Sequence, residues 1–164
     1  MLAVQCVAYD ELPSNSVRVR DVPLPNLQTT EPGNIMVDVL VMSADFVQLL
    51  LTQRKYQVRA QPPFTLGAEM VGRIVAVGSG VERLAVGDLV VGGACSQPGP
   101  TGQPYQNHGA WAERVECRAA AMWKVPKSMD PLDVPSPYSY STCIHALGER
   151  AELQAGETLL FFVG

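Results

Sequence analysis

Glu69-Met-Val-Gly-Arg-Ile-Val-Ala-Val77, then Gly78-Ser-Gly80, then Asp88-Leu-Val-Val91, form a strand, a glycine turn and a returning strand near the middle of the chain. Valine and isoleucine dominate both runs, and glycines punctuate them, which is the texture of paired strands rather than of helix. The same texture continues upstream. Residues 34–42 read as a strand with Ile35, Val37, Val39 and Val41 on one face and Met36, Asp38, Leu40 and Met42 on the other. Both faces are mostly apolar, which places this strand inside a sheet rather than at its edge. Residues 2–22 fit two short strands around Glu11-Leu-Pro-Ser-Asn15, because proline and asparagine favour a reversal there. Downstream, a Gly/Pro/Ser loop over residues 92–109 precedes a further strand over 110–116.

Helix enters only in places. Residues 44–54 change period, with Phe46, Leu49, Leu50 and Gln53 at spacings of three and four. Gln61-Pro-Pro-Phe-Thr-Leu-Gly67 ends that segment, since proline is excluded from helix and strand interiors. Beyond Pro126 a helix is expected through Thr142, His145, Ala146, Leu147 and Arg150. Ala155-Gly156 then turns the chain into Glu157-Thr-Leu-Leu-Phe-Phe-Val163 and Gly164. An apolar strand running into glycine opens a nucleotide-binding βαβ unit, where glycine lets the backbone approach a pyrophosphate. The fold expected is mostly β: a partly open barrel with short helices over residues 1–126, then over 127–164 the first helix and strand of a truncated α/β domain. Left unpaired, the apolar run forfeits on the order of 10 kcal/mol, at ~1.5–3 kcal/mol per large side chain. It is therefore expected to be disordered, paired with another chain or prone to aggregate.

Composition narrows the function classes. With 164 residues, 47% of them hydrophobic and 17% charged, the chain is globular and long enough for one buried core plus part of a second. A net charge of -4 offers no basic footprint for nucleic acid or an anionic membrane. No run reaches the ~20 apolar residues of a membrane span, and the N-terminus lacks a basic leader. Cys6, Cys95, Cys117 and Cys143 have no C-x-x-C spacing, and His108 and His145 stand far apart. That excludes a zinc knuckle and a secreted disulfide framework, and reads as reduced thiols in a cytoplasmic protein. Cys143 is expected to be a small buried hydrophobe.

Several runs carry a resemblance. Val41-Met-Ser-Ala-Asp-Phe-Val-Gln-Leu-Leu-Leu-Thr-Gln-Arg-Lys-Tyr-Gln57 resembles a segment of the quinone oxidoreductases in the medium-chain dehydrogenase/reductase superfamily. Pro62-Pro-Phe-Thr-Leu-Gly-Ala-Glu-Met-Val-Gly72, Val77-Gly-Ser-Gly-Val81 with Val86-Gly-Asp-Leu-Val90, and Gly109-Ala-Trp-Ala-Glu113 are similar to further motifs of that family. So are Ser139-Tyr-Ser-Thr-Cys-Ile-His-Ala-Leu147 and Leu153-Gln-Ala-Gly-Glu-Thr-Leu159. The resemblance implies a GroES-like catalytic domain over 1–126 and the start of an NADP-binding Rossmann domain over 127–164. It implies NADPH as hydride donor in a full-length form, a quinone or enone as small-molecule acceptor, and a homodimer of that form. With the glycine loop absent, the 164-residue chain alone is expected not to bind NADPH.

Site residues follow from the same resemblance. Zinc-dependent relatives place metal ligands at the positions of Met42, Ala68 and near Tyr138, none of which can ligate zinc, so no metal is expected. Glu69 matches the glutamate of that motif and reads either as a carboxylate near the cleft or as a strand-start group bonded to backbone or Arg73. Tyr56 reads either as a proton donor or ring-stacking group, with Arg54 or Lys55 able to lower its pKa, or as an ordinary loop tyrosine that packs its ring. Thr142 and Gly164 match cofactor-binding positions. Met42 replaces an asparagine near the nicotinamide ribose, so either the pocket is more apolar or the site is degraded. Asp45 and Val47 line the substrate cleft in relatives; Asp45 also suits a helix cap. His145, lacking a partner in the sequence, reads as helix packing. An alternative is a catalytically inactive truncated product that acts as a binding module with a full-length relative.

Overall fold

In a computed structural model, the chain is described over residues 1–57, 60–93, 109–134 and 136–162. Cys95, His108, Val163 and Gly164 lie outside the described residues, so the Gly164 cofactor position cannot be placed.

Two antiparallel sheets carry the fold. β1 (Leu2–Cys6) pairs on one side with β2 (Val17–Asp21) and on the other with β4 (Phe64–Thr65). The expected turn between β1 and β2 holds one helical turn, α1 (Pro13–Ser16). The second sheet has the order β7-β3-β5-β6-β8, from β3 (Asn34–Met42), β5 (Glu69–Val77), β6 (Leu89–Gly93), β7 (Arg114–Arg118) and β8 (Met122–Lys124). As the apolar faces require, β3 and β5 are interior strands. Between them runs α2 (Phe46–Thr52), and α3 (Pro137–Ile144) follows the second sheet.

Residues 110–113 join the sheets. Val4 N–H donates to Trp111 O at 2.8 Å, Trp111 N–H to Leu66 O at 2.9 Å, and Ala3 bridges to Ala112. The sequence suggests a strand over 110–116, but the ladder to β3 starts only at Arg114, because 110–113 pair with β1 and the 66–67 turn instead. The result is a partly open, mostly β barrel.

One core lies over the second sheet, where Ile35, Val37, Ile74, Val90 and Met122 are buried together. Gly72 is required there: a Cβ would stand 2.5 Å from Asp38 O and 2.4 Å from Val37 Cγ1, so β3 and β5 reach this spacing only around glycine. A separate cluster packs Cys6, Leu51, Phe64 and Leu66 between the first sheet and α2. Register shifts between Met36 and Val37, and between Val39 and Val41, break the simple alternation of β3. Met36 is therefore buried beside Ile35 and Val37, while Leu40 and Met42 are exposed.

The helix expected beyond Pro126 forms as α3 and continues in wider turns over His145–Arg150. The strand expected over 157–163 does not form over its described part: residues 157–162 join no strand ladder among the described residues, and Leu160, Phe161 and Phe162 are exposed. A parallel strand takes all its ladder bonds from neighbouring strands, and none flanks this run. Cys143 corrects the expectation of burial, since α3 turns it to solvent. His145 is likewise exposed rather than packed, and its Nδ1 lies 2.7 Å from Glu149 Oε2 one turn on.

Candidate functional site

A cleft opens where the C-terminal end of β3, the start of β5 and the segment before α3 converge. It is lined by Val41, Met42, Ser43, Glu69, Met70, Val71, Val91, Val134 and Ser136, and holds about 370 Å³ of open space. The walls are valines and methionines; the polar groups gather at one corner.

That corner is built on Glu69, the first residue of β5 and 4% exposed. Its Oε1 accepts from Ser43 Oγ at 2.9 Å and from Ser136 Oγ at 2.5 Å. Two serines are thus among its partners, while Arg73 is exposed and donates to Gly87 O at 2.9 Å. A buried carboxylate is tolerable only with such donors, so the serines stabilise the charge at the floor of an otherwise apolar cleft. Ser136 also caps α3, accepting from Ser139 N–H at 3.4 Å.

The structure brings two of the site residues read from the sequence, Met42 and Glu69, into this cleft. Asp45, Val47, Tyr56 and Thr142 are not part of its lining. Asp45 caps α2, its Oδ1 accepting Gln48 N–H at 3.0 Å. Val47 and Tyr56 pack, half-buried, against Cys6, Leu51 and Phe64. Thr142 is exposed on α3. Ser43 and Ser136 were missed, although a serine before Pro137 is a recognisable helix-start signal. Gln48 was missed as well: it is buried, with Oε1 accepting Gly67 N–H at 2.8 Å and Nε2 without a hydrogen-bond partner.

Among the described residues no lysine, arginine or histidine lines the cleft, which leaves an apolar valine and methionine wall without a positive charge to attract a diphosphate. Among the described residues no group of histidine, cysteine and carboxylate side chains could hold a metal ion.

Comparison with known proteins assigns the fold. Residues 31–127 match the model of the alcohol dehydrogenase GroES-like domain. The chain belongs to that family. As a GroES-like domain it is similar to quinone oxidoreductase-like protein 2 of Bos taurus, with 33% identity over 131 residues, covering 79% of this chain and 34% of that protein. The homologue of that protein from Nematostella vectensis is 34% identical over 135 residues, covering 80% of this chain and again 34% of the relative. The chain therefore spans about a third of the length of these curated relatives. Among solved structures, the human synaptic vesicle membrane protein VAT-1 homolog-like protein superposes with a TM-score of 0.80 at 24% identity, covering 95% of this chain and 45% of that one. That likeness establishes the GroES-like fold, partly open barrel included. No helix among the described residues is long and apolar enough to cross a membrane.

Proposed function

We propose that this chain forms the substrate-side wall of a metal-free, nicotinamide-dependent oxidoreductase that reduces a neutral conjugated carbonyl compound, a quinone or an enone. One observation carries the reading: an apolar cleft whose polar corner is Ser43, Glu69 and Ser136. The relatives named quinone oxidoreductase-like support it. In this reading residues 1–126 are the catalytic domain, residues 127–164 begin an NADP-binding domain, and a longer homodimeric cytoplasmic form supplies the rest.

NADPH, when bound to that longer form, supplies a hydride. The chain's own part is to hold the acceptor: Met42, Met70 and Val71 pack on the ring and exclude water from it. The family resemblance gives Thr142 the role of aligning the nicotinamide and Tyr56 that of donating a proton, although neither lines this cleft. Because the cleft does not suit a diphosphate, the 164-residue chain alone should not bind NADPH, and a fluorescence titration should stay flat to millimolar cofactor.

The acceptor is tested by methionine-methyl NMR with tetramethyl-1,4-benzoquinone, whose ring carbons are blocked against thiols. Saturable shifts at Met42 and Met70, absent at Met129, are expected; no shift at millimolar quinone refutes the reading. Metal independence is tested on the longer form, which should keep full activity after chelation and gain none from added zinc.

A second reading, a catalytically silent binding module, is favoured by the exposure of Leu160, Phe161 and Phe162. It predicts concentration-dependent association of the chain with a full-length relative, lost when those residues become serine.

A further inference from the structure

The segment before α3 is anchored to the barrel at two neighbouring points of different chemistry. Val134 packs against Val71, Leu89 and Val125, and two residues later Ser136 donates to the buried carboxylate of Glu69. Further along α3 the described side chains face solvent. Ser139, Tyr140, Ser141, Thr142, Cys143 and Ile144 are all exposed, and the wider turns over His145–Arg150 bury no residue.

A helix of 8 residues does not sustain itself in water, where ~12–15 residues are marginal even for good helix formers. Its order has to come from contacts at its ends or faces. Residues 139–144 are exposed, and the N-terminal end carries a side-chain bond to the sheet. There one hydroxyl performs two tasks: Ser136 Oγ accepts from Ser139 N–H, opening the helix, and donates to Glu69 Oε1, fixing that opening to β5. Ser43 Oγ meets the same Oε1 from the end of β3. The three residues therefore tie β3, β5 and α3 together through one oxygen atom.

We propose that Glu69 is a positioning residue, a latch that sets where α3 starts and how it leans over the cleft. This goes beyond the proposed function and holds whichever ligand fills the cleft. Both serines converge on one oxygen, and an amide oxygen has the same two lone pairs, so the latch needs an acceptor and not specifically a negative charge. Glutamine should substitute in part; a side chain with no acceptor should not.

The latch is separable from the ordinary capping role of Ser136. Ser136→Asp keeps an oxygen that caps Ser139 N–H but sets a second carboxylate against Glu69, so the cap stays while the latch breaks. Ser136→Thr keeps both bonds. The measurement is residue-resolved amide hydrogen exchange on the whole chain, comparing α3 with β3, β5 and β6. In Ser136→Asp, exchange over residues 140–144 should rise tenfold or more, in line with the loss of a charge-assisted bond, while the three strands change less than twofold. Ser136→Thr should match the parent, and Glu69→Gln should fall between parent and Ser136→Asp. The proposal is overturned if Ser136→Asp leaves α3 at parental exchange rates, because the cap alone then holds the helix. It is equally overturned if the three strands accelerate by the same factor, because the effect is then global unfolding.

Discussion

The side-chain oxygen of Gln48 accepts the backbone N–H of Gly67 at 2.8 Å, so α2 is fastened to the turn that leads into β5. The bond is buried, and Gly67 holds a φ of +103° with its Cα against the Trp111 side chain. Replacing Gln48 by methionine keeps volume but takes this acceptor from a buried N–H. A loss of about 1–3 kcal/mol is expected from urea unfolding, with the slope of the transition unchanged.

Gly72→Ala should be costlier than its single methyl suggests. The added carbon meets the Asp38 carbonyl in the partner strand, which is held by ladder bonds and cannot rotate away as a side chain would. A destabilisation of about 2–4 kcal/mol is expected, read as a fall in Tm of roughly 5–15 °C. Gly33→Ala makes a useful contrast: nothing lies near that Cβ, and its cost is limited to the backbone strain of its φ of +77°.

Much of this scaffold was legible in the sequence because its long strands repeat a simple signal. β3 and β5 each present a nine-residue apolar run, and their limits emerge at residues 34–42 and 69–77 as expected. β4 and β8 were not legible: two and three residues are too few to display a period, and both exist because an adjacent strand offers them a ladder. The cleft was half legible. Glu69 stood out because it matches the glutamate of a family motif, whereas Ser43 and Ser136 lie 93 residues apart and only the fold unites them. The run over 157–162 failed differently, since its residues suit a strand but its neighbours are missing.

The cysteines should separate by reactivity. Cys143 is exposed on α3, whereas Cys6 is fully buried, and burial pushes its thiol pKa up, beyond what its bond to Ala8 O recovers. At pH 8 iodoacetamide should label Cys143 within minutes and leave Cys6 unlabelled until denaturant unfolds the chain. Peptide mass mapping checks this; rapid native labelling of Cys6 contradicts it.

Acid should weaken the link between β6 and β8 in a defined direction. The hydrogen bond from Lys124, at 2.7 Å, holds the Asp88 carboxyl below its ordinary pKa. A depressed carboxylate stabilises fully above its unfolded pKa, about 4, and that contribution disappears as pH falls through the lower folded value. Lys124 is half exposed, so solvent screening limits the effect to a few tenths of a kcal/mol, as for surface pairs generally. Asp88→Asn should therefore lower stability slightly at pH 7, and its difference from the parent should shrink as pH falls below about 4, as followed by thermal unfolding.

The bridge between Ala3 and Ala112 also sets a timetable for synthesis. β1 leaves the ribosome ahead of its partners and meets β2 soon after, but its other edge needs residues 64–67 and then 110–113. At a translation rate of about 5–20 residues per second, Ala112 emerges on the order of 5–20 s after Ala3. Until residues 64–67 arrive that edge is open along its length, and until Ala112 arrives its Ala3 end stays open, so the nascent chain is most exposed to mispairing before its barrel has joined.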